Sequence, residues 1–178
     1  QYTAGYKYMI DKKSNIDLSI YYYDITDLII YRNNSFINRD NAKHYGAEIR
    51  FNSEYFDNNN IGISYAYSHT RDSEDEALEL IPEHQFKIED TLRISKSLKA
   101  YMAYQFMSSR YSSNSATYTD EQIKLDDYHL LETQLAYKIS DSTNCRLGVK
   151  NILDEDSEWK YGFPAEGRSY YISLEWKL

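Results

Sequence analysis

Apolar and polar residues alternate along most of the chain with a period of two residues. The final segment shows the pattern, since Tyr170, Ile172, Leu174, Trp176 and Leu178 share one face and mostly polar residues share the other. This alternation is typical of β-strands that have one apolar face. About nine segments follow it, and no long stretch has the three- and four-residue spacing of an amphipathic helix. The predicted fold class is all-β.

Short polar turns alternate with longer connections between the predicted strands. Segments 11–14 and 141–144 are examples of the short turns. The longer connections are 32–36, 71–81, 111–126 and 154–167. Tight turns at one end and long loops at the other describe an antiparallel up-and-down meander, as in outer-membrane barrels. We also expect one or two helical turns within residues 72–80.

Two details favour a barrel that faces lipid over a soluble sheet. The polar face of nearly every predicted strand contains charged and amide side chains, as the wall of a water-filled lumen requires. The apolar rows carry Tyr or Trp near the strand ends, where aromatic girdles lie: Tyr6, Tyr8, Tyr67, Tyr104, Tyr137, Tyr170 and Trp176. A soluble β-meander used for adhesion remains an open alternative, because soluble sheets also alternate.

The odd number of strands indicates part of a larger barrel. Single-chain bacterial barrels have an even number of strands. A meander with open edges would leave backbone groups unpaired in lipid, at a high free-energy cost. We therefore interpret residues 1–178 as a single segment of a longer transmembrane β-barrel.

Composition narrows the possible functions further. The chain has 20 Lys and Arg against 28 Asp and Glu, a formal net charge of −8. An acidic balance argues against binding to nucleic acid, whose phosphates attract basic surfaces. The single cysteine, Cys145, excludes an internal disulfide. No apolar run approaches the roughly 18 residues of a membrane helix.

Several segments, in order along the chain, resemble TonB-dependent outer-membrane receptors. The C-terminal end resembles the last external loop and closing strand of that family. Individually each match is weak, but together they cover nearly the whole chain. The matching segments are 23–29 (YDITDLI), 38–42 (NRDNA), 45–48 (YGAE), 81–84 (IPEH), 151–154 (NILD), 161–168 (YGFPAEGR) and the alternating final strand.

The resemblance implies a barrel of about 22 strands closed around an N-terminal plug domain. Such a receptor lies in the outer membrane of a Gram-negative bacterium, is inserted by the barrel-assembly machinery and takes energy from TonB through the plug. Its solute is a scarce nutrient, with a ferric siderophore as the first choice and haem, cobalamin, a metal or a sugar as alternatives. It implies no cofactor and no catalytic residue.

The resemblance also implies a contact between the barrel and the plug. Glu48 stands where the family has a lumenal carboxylate that pairs with a plug arginine, and Arg50 lies two residues further along the same face. The simpler alternative is a solvated lumenal carboxylate at Glu48 that pairs with Arg50 or with a basic residue on a neighbouring strand. Thr3 stands where a second such Glu is usual, which leaves the second ion pair of the family without its carboxylate here.

Four residues at the external rim are candidate ligand contacts. Arg71, Arg110, Tyr111 and Tyr118 lie in or beside long connections. Aromatic faces and cations suit an anionic, catecholate-rich iron chelate through stacking and cation–π contacts.

The residues of the C-terminal motif are interpreted as structural. Gly and Pro suit special backbone conformations, and an arginine there can neutralise nearby carboxylates. These residues are Asn151, Asp154, Gly162, Pro164, Gly167, Arg168 and Trp176.

Two alternative interpretations are a pore or hydrolase built as a small barrel and a metal site. A small complete barrel could be a pore or a hydrolase with an active site at its rim. The candidate catalytic residues of such a hydrolase are His129, Asp126, Asp127 and Ser112. The acidic run 72–79 lacks the spacing of a calcium loop, and a histidine pair at positions 69 and 84 could meet across a hairpin. We predict no metal site.

Overall fold

The computed structural model describes residues 1–32, 35–56, 59–114 and 119–177. Within them the chain is all-β, and no helix that could span a membrane is found in these ranges. The strands are β1 (Tyr2–Met9), β2 (Ser14–Arg32), β3 (Ser35–Tyr55), β4 (Asn59–Asp72), β5 (His84–Arg93), β6 (Leu98–Met107), β7 (Arg110–Asn114), β8 (Thr119–Leu125), β9 (Tyr128–Lys138), β10 (Thr143–Lys150), β11 (Glu158–Lys160), β12 (Phe163–Pro164) and β13 (Ser169–Trp176).

One large sheet confirms the predicted meander. Its nine strands have the order β1-β2-β3-β4-β5-β6-β9-β10-β13, and each pair of neighbours is antiparallel. Strands β2 and β3 pair from Ser14↔Ser53 to Arg32↔Ser35. That length exceeds the roughly 9–11 residues that a tilted strand needs to cross a bilayer. The distal part of this hairpin therefore has room to extend beyond a membrane.

Two of the predicted long loops contain hairpins of their own. The pair β7–β8 occupies part of the connection 111–126, and β11–β12 occupies part of 154–167. The expected helical turns at 72–80 were wrong, since this segment forms hydrogen-bonded turns. There the carboxylate of Asp72 accepts bonds from the backbone N–H groups of Glu74 and Glu76, so a side chain stabilises the turn in place of a helical backbone ladder.

The register separates the sheet into an apolar face and an ionic face. Ile20 pairs with Ala47 and Ala47 with Tyr67 on the apolar face, whereas Ser19 pairs with Glu48 on the ionic face. A shift of one residue in the pairing would move every side chain of a strand to the other face. The observed register avoids such a shift, so each face keeps its polarity from strand to strand.

The apolar face is open, and no second layer of described residues packs against it. Ile172 is 74% exposed, Leu174 68% and Leu147 50%. Among the described residues, the buried apolar side chains are only Ala42, Ala103, Leu125 and Tyr128. An apolar surface of this extent requires another apolar phase to cover it.

Glycine lets a tyrosine lie flat on the ionic face at two places. A Cβ added at Gly148 would overlap the ring of Tyr171, and one added at Gly46 would overlap the backbone carbonyl oxygen of Tyr67 and the hydroxyl group of Tyr21. The glycines thus make room for aromatic rings from neighbouring strands.

Candidate functional site

Ion pairs occupy much of the ionic face. Lys87 Nζ lies 2.7 Å from Glu89 Oε2, which also accepts a hydrogen bond of 3.1 Å from the Tyr101 hydroxyl. Further pairs among the described residues of this face are Lys7–Asp17 (3.4 Å), Lys13–Glu54 (2.7 Å) and Arg146–Glu175 (2.9 Å). Paired and exposed in this way, they keep the face wetted and add little net stability.

Glu48 and Arg50 are brought together on the ionic face, but they do not pair with each other. Both line a cavity of 260 Å³ together with Ser64, Gln85 and Lys87. Within the described ranges, neither side chain makes a hydrogen bond or an ion pair. The charge of Arg50 acts on the neighbouring Glu89, whereas the charge of Glu48 is available to a partner.

A polar cluster that sequence reasoning missed lies further along the same face. His44 Nε2 is 2.7 Å from Ser68 Oγ, and the Tyr21 hydroxyl is 3.2 Å from both atoms. The cluster includes no carboxylate hydrogen-bonded to the imidazole, so it lacks the orienting acid of a hydrolytic triad. Its sequence signal is Gly46, which makes room for Tyr21.

Three long connections pack together into what we call the external assembly, which comprises residues 71–83, 110–114, 119–125 and 151–168. The backbone N–H of Leu80 donates to the carbonyl of Tyr111 (2.8 Å), and Gln122 Nε2 donates to the carbonyl of Ala77 (2.8 Å). The N–H of Tyr161 donates to Ser112 Oγ (3.2 Å), and Ser112 is fully buried. The connections therefore form one packed unit.

Arg110 lies inside the external assembly and away from its surface. Its side chain is 5% exposed, and its guanidinium donates a short hydrogen bond to the carbonyl of Glu158. Burial lowers the pKa of Arg110, although arginine stays charged in proteins. We propose that Arg110 joins two connections, in place of the ligand contact expected from the sequence.

The other rim candidates differ in their surroundings. Arg71 is partly exposed, donates to the carbonyl of Thr70 (2.7 Å) and lies 3.6 Å from Asp75 Oδ1. Tyr111 is 38% exposed. Tyr118 lies outside the described residues. Ligand contact by Arg71, Tyr111 and Tyr118 stays a prediction.

Asn151 organises the start of the C-terminal motif. It is 1% exposed, and its amide nitrogen donates to the carbonyls of Glu155 (3.0 Å) and Glu166 (3.2 Å). Its amide oxygen accepts the N–H of Glu155 (2.9 Å). One side chain thereby satisfies backbone groups at both ends of the last connection.

Asp154 and Arg168 close the same connection. Asp154 Oδ1 accepts the N–H of Arg168 (3.0 Å), and Arg168 Nε donates to the carbonyl of Ile152 (3.1 Å). Gly167 lies beside this carboxylate. These contacts fit the structural interpretation of the motif.

The remaining motif residues lie at a hairpin tip and on the closing strand. Gly162 has φ +79°, a conformation that favours glycine, and Pro164 ends the short hairpin β11–β12. Trp176 is 67% exposed on the apolar face of β13.

The candidate hydrolytic residues Ser112 and His129 do not form a catalytic group. Ser112 Oγ is buried and donates to the carbonyl of Ser113 (3.2 Å). His129 instead contacts Asp127 Oδ2 (3.2 Å) and the Tyr104 hydroxyl (2.8 Å). An activated nucleophile requires a serine within hydrogen-bond reach of its base.

The two histidines at the edge of the acidic loop have separate partners. His69 Nδ1 lies 3.2 Å from Glu83 Oε1, whereas His84 Nδ1 lies 2.9 Å from the Tyr65 hydroxyl. The hydrogen bond from His69 lowers the pKa of Glu83. In the part of the chain that the structure describes, no group of three or more His, Cys, Asp or Glu could hold a metal ion.

The sequence matches a described protein family and a curated relative. The family "TonB dependent receptor-like, beta-barrel" matches residues 1–152. The vitamin B12 transporter BtuB of Vibrio cholerae serotype O1 is 30% identical over 107 residues, which cover 60% of this chain and 17% of that protein. The chain thus spans about a sixth of the length of this relative.

Solved structures share the fold at low sequence identity. The siderophore receptor PirA from Acinetobacter baumannii has a TM-score of 0.80 and 16% identity, over 98% of this chain and 31% of that chain. The ferric-catecholate import receptor Fiu from E. coli K12 has a TM-score of 0.77 and 17% identity, over 98% of this chain and 27% of that chain. At such identities the likeness shows the fold alone.

Proposed function

The chain belongs to the family of TonB-dependent receptor-like β-barrels, and we propose that it supplies nine strands of an outer-membrane receptor that imports a scarce solute with energy from TonB. The apolar face then contacts lipid, and the ionic face lines the lumen. Residues 1–178 form one segment of the barrel, and the plug domain and the other strands belong to the rest of the receptor.

The continuous separation of the two faces is the observation that carries this proposal. Apolar side chains such as Leu147 and Ile172 pair across β10 and β13, while Arg146 pairs with Ser173 on the opposite face. Side chains alternate in this way when one face of a barrel meets lipid and the other meets water. A soluble sandwich would instead bury the apolar face against a second layer.

A ferric siderophore is the solute that we propose first. The partly exposed Arg71 and Tyr111 offer a cation and an aromatic ring at the external end, which suit an anionic chelate. Cobalamin is the second candidate, because the relative that is 30% identical is a vitamin B12 transporter.

The proposed receptor has further partners in the membrane and in the periplasm. We propose that Glu48 and Arg50 contact the plug domain, since both line a cavity on the ionic face and neither makes a hydrogen bond or an ion pair in the described ranges. Outer-membrane lipid covers the apolar face, the barrel-assembly machinery inserts the receptor, and TonB acts through the plug.

Growth of a strain that lacks the gene tests the proposal. The strain and its complemented control are grown on single ferric siderophores as the iron source, and on cobalamin where cobalamin is required. We expect growth to fail on one solute and to return with the intact gene. Normal growth on every solute, or recovery of the intact receptor in the soluble fraction, would refute the proposed function.

A further inference from the structure

We propose that Asp90 on β5 binds the ammonium group of a phospholipid in the inner leaflet of the outer membrane. This inference rests on the proposed function, in which the apolar face of the sheet contacts lipid. It assigns a binding site to a carboxylate that neither the expected ligand contacts at the rim nor the ion pairs of the ionic face explain.

Asp90 interrupts a face that is otherwise uncharged between its two ends. Ile61 pairs with Asp90 and Asp90 with Met102, so the carboxylate lies on the apolar face. Ionisable residues at lipid-facing positions are rare and are a default sign of a functional site. Asp90 is the one Asp, Glu, Lys, Arg or His among the apolar-face positions within the described residues 2–8, 14–22, 45–55, 61–67, 86–92, 98–106, 131–137, 143–149 and 170–176.

Asp90 lies near the periplasmic end of β5 in the proposed receptor. The strand ends at Arg93, and the short connection 94–97 leads to β6. Short turns lie at the periplasmic end of outer-membrane barrels. At about 3.3 Å per residue, Asp90 is about 10 Å along the tilted strand from this end. The carboxylate is therefore close to the headgroups of the inner leaflet and far from the centre of the bilayer.

The wall leaves the charge of Asp90 without a counter-ion. The Tyr55 hydroxyl donates a hydrogen bond of 2.6 Å to Asp90 Oδ2, whereas Oδ1 is buried and accepts no hydrogen bond from the described residues. A carboxylate has about four acceptor sites, so one hydroxyl leaves most of them unused. Asp90 also makes no ion pair within the part of the chain that the structure describes. Since an unpaired charge among apolar neighbours is costly, a cation from outside the wall would stabilise it.

The carboxylate can be reached from the lipid side. Asp90 is half-buried, and Met102, its partner on β6, is 55% exposed. A methionine side chain is unbranched and flexible, so it can move aside for a small headgroup. Tyr55 lies on β3, on the other side of β5 in the sheet order, and its hydrogen bond orients the carboxylate.

Charge and surroundings select an ammonium headgroup as the occupant. The apolar face meets lipid in the proposed receptor, so lipid headgroups are the nearest source of cations. A primary ammonium offers three N–H donors, and a charge-assisted hydrogen bond is roughly twice as strong as a neutral one. An anionic headgroup would be repelled. A second copy of this chain that packed through the same positions would bring no cation, because those positions contain none.

Lipid photo-crosslinking to the full-length receptor in nanodiscs tests the site. Three photoactivatable probes with the same acyl chains are compared: phosphatidylethanolamine, phosphatidylcholine and phosphatidylglycerol. We expect phosphatidylethanolamine to label residues 84–107 about tenfold more than phosphatidylglycerol, the effect of one hydrogen bond to a charged group. Phosphatidylcholine, whose quaternary ammonium has no N–H donor, should fall between them. Equal labelling by the three probes would overturn the inference.

Two substitutions on the same strand locate the preference. Asp90→Asn keeps the shape of the side chain and removes its charge, so the preference for phosphatidylethanolamine should disappear. Glu89→Gln is the matched control, because it removes a charge from the next residue, which lies on the ionic face. This control should keep the preference of the unchanged receptor. Equal loss in both variants would show an effect of net charge and contradict a site at Asp90.

The outcomes separate this inference from the proposed function. A receptor that is recovered in outer membranes but shows no preference among the probes overturns the role of Asp90 alone, whereas a receptor that does not enter membranes overturns both. Benzoylphenylalanine at position 102 should capture lipid, and capture of another protein would assign the carboxylate to a protein partner. An infrared carbonyl band of a protonated carboxyl group that disappears in Asp90→Asn would show that a proton neutralises it. Either of these two results would overturn the inference.

Discussion

The barrel wall and the external assembly are stabilised in different ways. In the wall, Ile172 is 74% exposed and Leu174 68%, and the strands are joined by backbone ladders. In the external assembly, Ser112, Asn151 and Arg110 are almost completely buried, and side chains bond to backbone groups of distant connections. The wall therefore depends on its surroundings, whereas the assembly has a small core of its own.

The difference shows where residue identity matters. A wall position needs only the right polarity for its face, since lipid or water completes its environment. A buried polar residue such as Asn151 needs its particular donors and acceptors, because an unsatisfied buried group is costly. We expect substitutions to separate the two regions accordingly.

A charge on the apolar face should have the largest effect. Ile172→Lys places an ammonium group at the middle of β13 on the face that we assign to lipid, and we expect a loss of about 2–4 kcal/mol in the free energy of unfolding. Ser173→Lys, one residue along on the ionic face, is the control and should cost far less. Denaturant unfolding of the full receptor in lipid vesicles measures both, and equal losses would contradict the assignment of faces.

Loss of the Asn151 side chain should disrupt the external assembly and spare the wall. Asn151→Ala leaves the carbonyls of Glu155 and Glu166 and the N–H of Glu155 without their partner. We expect local destabilisation of about 1–3 kcal/mol, seen as faster hydrogen exchange in residues 152–168. Asp156→Ala, an exposed change in the same connection, is the control. Faster exchange throughout β9 and β10 would show that the two regions are coupled.

A methyl group at Gly148 should have a smaller effect. Gly148→Ala brings the new Cβ against the ring of Tyr171, which can rotate away from the wall. We expect a cost of about 1 kcal/mol, at the low end for an overpacked site. The double variant that combines Gly148→Ala with Tyr171→Ser should recover most of this lost stability. Absence of recovery would mean that the ring is not the cause.

The contact between His69 and Glu83 should have the smallest effect, confined to low pH. The hydrogen bond from His69 holds the pKa of Glu83 below its ordinary value of 4.5. A lowered pKa in the folded state stabilises the fold above pH 4.5, and this contribution is lost as the pH falls through the lowered value. His69→Ala should raise the pKa of Glu83 toward 4.5, measured by NMR titration of labelled carboxylates. His84→Ala should raise it less, since His84 acts on Glu83 only through its charge.

The sheet was predictable because its signal is local. Alternation at residues such as Leu147 and Leu174 directly gives the strand and the face of each side chain. The same parity placed Glu48 and Arg50 on one face. Whether these two pair with each other depends on side-chain conformations, which alternation does not determine.

The external assembly was not predictable because its contacts join distant parts of the chain. Arg110 bonds to Glu158, and Ser112 bonds to Tyr161, each nearly fifty residues away. The hairpins β7–β8 and β11–β12 lie in segments without clear alternation, so they read as loops. The burial of Arg110 was not predictable either, because no neighbouring residue in the sequence indicates it. We therefore expected Arg110 at the exposed rim.

Oxygen accessibility of single spin labels along β13 tests the two-faced wall most directly. Labels at positions 170–175 of the full receptor in lipid vesicles are compared one by one, with dissolved oxygen as the probe that partitions into lipid. We predict high accessibility at 170, 172 and 174 and low accessibility at 171, 173 and 175. Low oxygen accessibility at 172 and 174, as in a packed protein interior, would contradict the account.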